Sequence, residues 1–229
     1  MLSDAEMELR RTGIGASEAA AAIGLSPYKT PIDLWLEKTS TEPPNRDWYK
    51  PGKPAYFGTL IEDVIADTYA AIHDVKLRRT HTLAHPTYDF ILATPDREIV
   101  GQKKLLECKA SSPWRSDWGE EYTDEIPTEY VVQCHQQMAV RGWVDNGCDI
   151  AVFKSITDYR EYHVPFDYEF WDIIVSKLRQ NQVSSCLRTR ATSTTCASLW
   201  SCAKPTRVWR TKRKNWRMNY ASSSPSMAN

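Results

Sequence analysis

Between residues 90 and 110 an aspartate, a glutamate and a lysine stand at a spacing that can do hydrolytic chemistry. The stretch reads Phe90-Ile91-Leu92-Ala93-Thr94-Pro95-Asp96, a polar turn through Gly101, then Lys104-Leu105-Leu106-Glu107-Cys108-Lys109-Ala110. Two apolar runs bounded by Pro, Gly and charges predict adjacent strands, a hairpin with Asp96 at its end. Pro95 closes the first run because proline cannot donate to a ladder. Side chains alternate along a strand, so Glu107 and Lys109 share one face and Leu106 and Cys108 the other. Converging carboxylates repel unless a cation lies between them, and hard oxygen ligands with a few waters suit Mg²⁺ or Mn²⁺. A lysine two residues on can then hold an attacking water or a phosphate charge. Spacing alone leaves an exposed hairpin of solvated charges equally open.

A second constellation lies near the N-terminus, in Arg10-Arg11-Thr12-Gly13-Ile14-Gly15-Ala16-Ser17-Glu18. Ser17 is an N-cap type, the alanine run after it favours helix, and Gly24 suits the position past the end, which predicts a helix over 18–23. Glycines before a helix start let backbone approach an anion, and Arg11 can add a bidentate clamp. No Lys-Ser or Lys-Thr follows at Walker spacing, so ATP use is not indicated. A glycine turn followed by a capped helix accounts for the same residues.

The remaining elements must position these groups. Thr30-Pro31 starts a second helix, and residues 40–54, with four Pro and two Lys, form a loop. Leu60/Ile61, Val64/Ile65, Thr68/Tyr69 and Ile72 recur at helical spacing, with the carboxylate of Glu62 beside the apolar stripe. Strands are expected at 75–83, 90–94 and 105–109. A tryptophan-containing loop precedes a helix over 128–141, capped by Thr128 and burying Val131, Cys134, His135, Met138 and Ala139, with Gln133, Gln136 and Gln137 read as solvated. Strands over 148–153 and 159–164 and a helix capped by Asp167 complete an α/β or α+β core with a mixed sheet.

The chain's 229 residues can bury one substantial core. It has no run of eighteen apolar residues, so no membrane span is expected, and no secretion signal is read at its start, so a cytoplasmic location is. The six cysteines, at 108, 134, 148, 186, 196 and 202, form no Cys-x-x-Cys pair and are read as free thiols, without a zinc site at Cys134, His135 and Cys148. The zero net charge hides a split: residues 1–183 carry a balance of −9, while 184–229 hold 9 basic residues and no acid. In that tail 15 of 46 residues are Ser or Thr, and apolar periodicity is lost. Two regions are therefore expected, 1–183 folded and 184–229 disordered. The tail fits nucleic-acid binding by phosphate neutralisation and tryptophan stacking, and fits a frameshifted or replaced C-terminus equally well.

Taken together, Arg10 through Ala20, Gly24-Leu25-Ser26-Pro27-Tyr28, Gly58-Thr59-Leu60-Ile61-Glu62, Thr94-Pro95-Asp96, Glu107-Cys108-Lys109 and Gln133 resemble the YqaJ-like viral recombinase family. That family is similar to phage lambda exonuclease and belongs to the PD-(D/E)xK nucleases. The resemblance implies a restriction-endonuclease-like core, a central mixed β-sheet flanked by helices. It implies Asp96, Glu107 and Glu62 as metal ligands, Lys109 as the residue that positions or activates water, and Gln133 as a helix glutamine at the catalytic site. Arg11, Ser17 and Thr94 are implied to hold DNA phosphate, Thr94 in the place of a serine before Pro-Asp. Glu18 departs from the family's usual aspartate after the motif serine. The implied activity is that of a Mg²⁺-dependent deoxyribonuclease, a 5′→3′ double-strand exonuclease in phage-type recombination. Its partners would be double-stranded DNA and a single-strand annealing recombinase, and it would work as a homo-oligomer, a ring trimer. A structure-specific endonuclease and a non-catalytic DNA-binding prophage remnant remain alternatives.

Overall fold

A computed structural model describes residues 4–40, 50–112, 115–155 and 157–180. Three helices and a short strand come first: α1 (Asp4–Arg11), β1 (Ile14–Gly15), α2 (Ala16–Ala22) and α3 (Pro31–Thr39). They are followed by α4 (Pro54–His73), β2 (Leu77–Arg79), β3 (Leu83–Ala84), β4 (Ile91–Ala93), β5 (Arg97–Ile99) and β6 (Lys104–Ala110). The remainder is α5 (Thr128–Arg141), β7 (Cys148–Ser155), β8 (Asp158–Val164) and α6 (Tyr168–Gln180). Cys186, Cys196 and Cys202, Trp114, the loop at 41–49 and the division at residue 183 lie outside the described residues.

Local signals account for several starts. Thr30 Oγ1 accepts from Asp33 N–H at 3.1 Å and Asp33 Oδ2 accepts from Thr30 N–H at 2.9 Å, a reciprocal capping box with Pro31 at the first helical position. Asp167 caps α6 by accepting from Phe170 N–H at 3.0 Å. Two expected caps shift. Helix α2 begins before Ser17, with Gly15 as its N-cap, because Glu18 reaches back to the Gly15 N–H at 2.8 Å. Thr128 is already helical, and Pro127 is the residue before α5.

The expected hairpin is divided between two sheets. Strand β4 belongs to a small sheet ordered β1-β4-β3, parallel to β1 and antiparallel to β3. The hairpin partner of β6 is β5, in a five-stranded sheet ordered β2-β5-β6-β7-β8 whose β6–β7 pair alone is parallel. Pro95 ends one ladder and Asp96 stands where the chain crosses to the next, so a single run of sequence serves both sheets. Gly13 permits the small sheet to close: a Cβ there would lie 2.4 Å from the Phe90 carbonyl oxygen, which accepts from Ile14 N–H at 2.7 Å.

The larger sheet is covered on both faces. Leu105, Cys148, Ile150 and Val152 pack with Cys134 and Met138 of α5, while Leu106, Cys108 and Ala151 pack with Ile65, Ala66 and Tyr69 of α4. On its far side α5 meets α2, β4 and α6. It is therefore buried almost all round, and Gln133, Gln136 and Gln137, read as solvated, are interior residues at 7 %, 0 % and 1 % exposure. Gln136 Nε2 donates to the carbonyls of Ile14 and Leu92, both at 2.8 Å, joining β1 to β4 from the helix. His135 accepts from Asp167 N–H through Nε2 at 3.0 Å and donates from Nδ1 to the Val131 carbonyl at 2.8 Å. Both ring nitrogens are engaged in stapling α5 to the start of α6, so neither is free to hold a metal. Cys108, Cys134 and Cys148 are buried free thiols. Among the described residues no helix is long and apolar enough to cross a membrane.

Candidate active site

Glu107 and Lys109 share one face of β6, as expected from strand alternation, and that face is the one toward α5. Glu107 is 1 % exposed, and three donors hold its carboxylate: Gln133 Nε2 at 2.5 Å, Gln137 Nε2 at 2.6 Å and Lys109 Nζ at 2.5 Å. Lys109 also donates to Gln133 Oε1 at 3.2 Å and lies 4.9 Å from the centre of the Tyr130 ring. Burial lowers the lysine's proton affinity, but Glu107 and Asp96 outweigh it, so Lys109 is held firmly protonated. It stands beside the two carboxylates as a cation, not as a free base.

Asp96, in the link between β4 and β5, accepts from the Cys108 N–H of β6 at 2.8 Å. Burial, then Glu107 and, more weakly, Glu62 push its carboxyl well above the usual range, with Lys109 and the Cys108 N–H opposing them. The three acids thus act on one another. Glu62 arrives from α4 and is gripped by Arg97, whose Nη1 donates to Glu62 Oε1 at 2.7 Å and to the Asp96 carbonyl at 2.6 Å, while Nη2 pairs with Asp63. Arg97 is 5 % exposed and remains charged despite burial because Glu62 and Asp96 surround it. Among the described residues no three His, Cys, Asp or Glu side chains are close enough to cage an ion unaided.

The N-terminal constellation stands next to this cluster. A small open cleft is lined by Arg10, Gly15, Ser17, Thr94 and Gln133. Arg10 Nη2 donates to Ser17 Oγ at 2.9 Å, and Thr94 Oγ1 shares a 2.8 Å hydrogen bond with Thr82 Oγ1. Arg11 points elsewhere, its Nη2 on the Ser40 carbonyl at 2.5 Å. The structure therefore brings Ser17, Thr94 and Gln133 together as expected, and puts Arg10, not Arg11, in the cleft. Arg10, Arg97 and Gln137 are site residues the sequence reading missed. Arg10 was visible as the neighbouring arginine of the same motif, and Arg97 as the residue beside the motif aspartate.

The family model for the YqaJ-like viral recombinase domain matches residues 7–147, which span the cleft, Asp96, Glu107, Lys109 and α5. The chain belongs to this family. YqaJ of Bacillus subtilis (strain 168) is 43% identical over 135 residues, 58% of this chain and 40% of that relative, so the chain spans well under half of the relative's length. In fold this YqaJ-like chain is similar to an alkaline exonuclease, LHK-Exo, from Laribacter hongkongensis, with a TM-score of 0.61 at 17% identity over 94% of this chain and 100% of the other. A phage related exonuclease from Haemophilus somnus 129PT gives 0.53 at 14% identity over 78% and 96%. At those identities the likeness is one of architecture, and it agrees with the expected mixed sheet flanked by helices.

Proposed function

We propose that this YqaJ-like chain is a Mg²⁺-dependent deoxyribonuclease that degrades double-stranded DNA from 5′ ends in phage-type recombination. One observation carries the reading. Gln133 lines the Arg10–Ser17–Thr94 cleft and at the same time binds both Glu107 and Lys109. An anion corner and a carboxylate–lysine cluster that share one side chain suit a substrate holding several phosphates in a row.

The donor set fits a hard divalent cation. Mg²⁺ keeps most of its waters and takes one or two carboxylates, so no three-residue cage is required. Asp96 is pushed up by its own burial and by Glu107, which is the strain a cation would relieve. Asp96 and Glu107 would hold it, with Glu62 contributing its charge from α4. When bound, the metal would supply an activated water and neutralise charge on the reacting phosphate. Lys109 would anchor that water or a phosphate oxygen, and Gln133 and Gln137 would fix the Glu107 carboxylate. Arg10, Ser17 and Thr94 would bind the phosphate at the strand end.

Digestion of one strand leaves a single-stranded product, and a single-strand annealing recombinase is the partner this calls for. Processive digestion suits a homo-oligomeric ring around the duplex. The test is a gel assay on 5′-phosphorylated linear duplex beside nicked and closed circles, comparing Mg²⁺, Mn²⁺, Ca²⁺ and chelator. Loss of the linear duplex from its 5′ ends with Mg²⁺ is expected. Cutting of closed circles would move the reading to an endonuclease, and no metal-dependent cutting at all would overturn it.

A further inference from the structure

Tyr28 lies in the loop after α2, and its side chain has no place in the core: it is 72 % exposed. The ring is nevertheless fixed. Its hydroxyl accepts from Arg115 Nη1, which also reaches Tyr130 Oη at 3.2 Å. The guanidinium carbon stands 5.5 Å from the centre of the Tyr28 ring and 5.3 Å from that of Tyr130. Arg115 is itself anchored, by both Asp117 oxygens at 2.6 Å and by Glu129. Behind Tyr130, Trp118 stacks at 5.3 Å and 23°, with its indole N–H on Ser111 Oγ at 3.0 Å. Tyr130 also carries Lys109 over its ring. A continuous assembly of aromatic rings and one arginine therefore runs from the candidate catalytic lysine outward and ends in an exposed tyrosine.

The charge of Arg115 is already balanced by two acids, so it is poorly suited to holding phosphate. Its evident effect is to immobilise two rings. An exposed ring whose hydroxyl is already engaged offers a ligand chiefly its face, and a face held rigid loses little freedom when something stacks on it. Nucleobases are the flat partners present on the substrate proposed above, and aromatic faces bind them with little regard to sequence.

We propose that Tyr28, braced by Arg115, is a stacking platform for one nucleobase of the DNA strand entering the site. This rests on the nuclease reading, with Tyr28 as a substrate-positioning contact outside the hydrolytic cluster.

A double-mutant cycle between protein and DNA tests it. Binding of the full chain to 5′-phosphorylated duplex, with Ca²⁺ in place of Mg²⁺, is followed by fluorescence anisotropy, using intact DNA and a set of duplexes with one abasic site moved stepwise from the end. Tyr28→Ala is expected to weaken binding of intact DNA about tenfold, within the range for one stacked base. Tyr28→Phe and Tyr28→Trp should stay within about threefold of wild type. At one abasic position the wild type should lose a similar factor, and there Tyr28→Ala should cost nothing more. If Tyr28→Ala binds intact DNA as wild type does, or if its loss multiplies with the abasic loss at every position, the platform is overturned and the nuclease reading stands. If wild type neither binds nor cuts DNA, both fall together.

Discussion

Arg97 Nη1 lies 2.7 Å from Glu62 Oε1 and ties the strand that follows Asp96 to helix α4. The guanidinium is nearly inaccessible while Glu62 is partly open, so the pair neutralises an acid that would otherwise add to the repulsion around Asp96. It also sets where that acid stands.

Arg97→Ala should therefore cost more than a surface ion pair. Removing one partner of a buried pair strands the other, and with Glu62 partly solvated a loss of about 2 kcal/mol is expected in urea unfolding. Arg97→Lys should recover part of the stability but not the two-pronged grip on Glu62 and the Asp96 carbonyl. Cleavage should fall further than stability alone explains, most clearly at limiting Mg²⁺.

Asp96→Asn separates chemistry from folding. The amide can still accept from Cys108 N–H, while the charge that burial and Glu107 oppose is gone. In chelator the variant should unfold at higher denaturant than wild type, because the buried charge that Glu107 repels is gone. It should cut DNA at least about a thousandfold more slowly, and Mg²⁺ should no longer raise its melting temperature as it does for a protein that binds the ion only when folded. A variant less stable than wild type in chelator would contradict the charge argument.

Much of the fold around this cluster was legible because its signals are local. The Thr30–Asp33 box, the Asp167 cap and the alternation of Glu107 with Cys108 each depend on neighbours within four residues. What was misread depended on partners far along the chain. Strand β5 reads Arg-Glu-Ile and looks like a turn, yet Arg97 and Glu98 are buried because Glu62 and Asp63 answer one and Arg78 and Arg141 the other. The glutamines of α5 look solvated by period, but inside the protein their amide N–H groups donate to Glu107 and to two carbonyls from β1 and β4. Buried polar residues carry no periodic signature, since what permits their burial is a distant hydrogen-bond partner. The choice of Arg10 over Arg11 was equally out of reach, because it turns on which way the end of α1 faces.

Stability should fall in mild acid because of His135. Burial depresses this imidazole to about 4, against 6.5 for the ordinary group, and its Nε2 must stay unprotonated to accept from Asp167 N–H. Between those values the unfolded chain binds a proton that the folded chain refuses, so stability is full above about 6.5 and is lost as pH falls toward 4. About 2 kcal/mol should disappear between pH 8 and pH 5, read by urea unfolding at each pH. The His135→Gln variant, less stable throughout, should show a flatter dependence over that window.

Gln137→Leu tests whether the grip on Glu107 matters for turnover. The substitution leaves Glu107 Oε2 without its amide donor at 2.6 Å while Gln133 and Lys109 still hold the other oxygen. The carboxylate can then rotate, and if Glu107 holds the proposed metal, a group that orients such a ligand is typically worth about ten- to a hundredfold. Single-turnover digestion should slow by that factor and need more Mg²⁺ for half-maximal rate, with binding of DNA in Ca²⁺ changed much less. Equal rates for variant and wild type at every Mg²⁺ concentration would show that Gln133 and Lys109 suffice.

The two arginines of the N-terminal motif give the sharpest comparison, because they are adjacent in sequence and face different partners. Arg10 lines the cleft with Ser17 and Thr94, whereas Arg11 reaches the Ser40 carbonyl. If the cleft takes the terminal phosphate, Arg10→Ala should slow digestion of 5′-phosphorylated duplex by roughly tenfold or more, the scale of one lost charge-assisted hydrogen bond. On duplex with 5′-hydroxyl ends, where that contact is absent, wild type and Arg10→Ala should differ little. Arg11→Ala should lower both rates alike, through stability, and leave the preference for a 5′-phosphate intact. A preference lost with Arg11 and kept with Arg10 would put the phosphate on the other side of α1, in conflict with the cleft seen here.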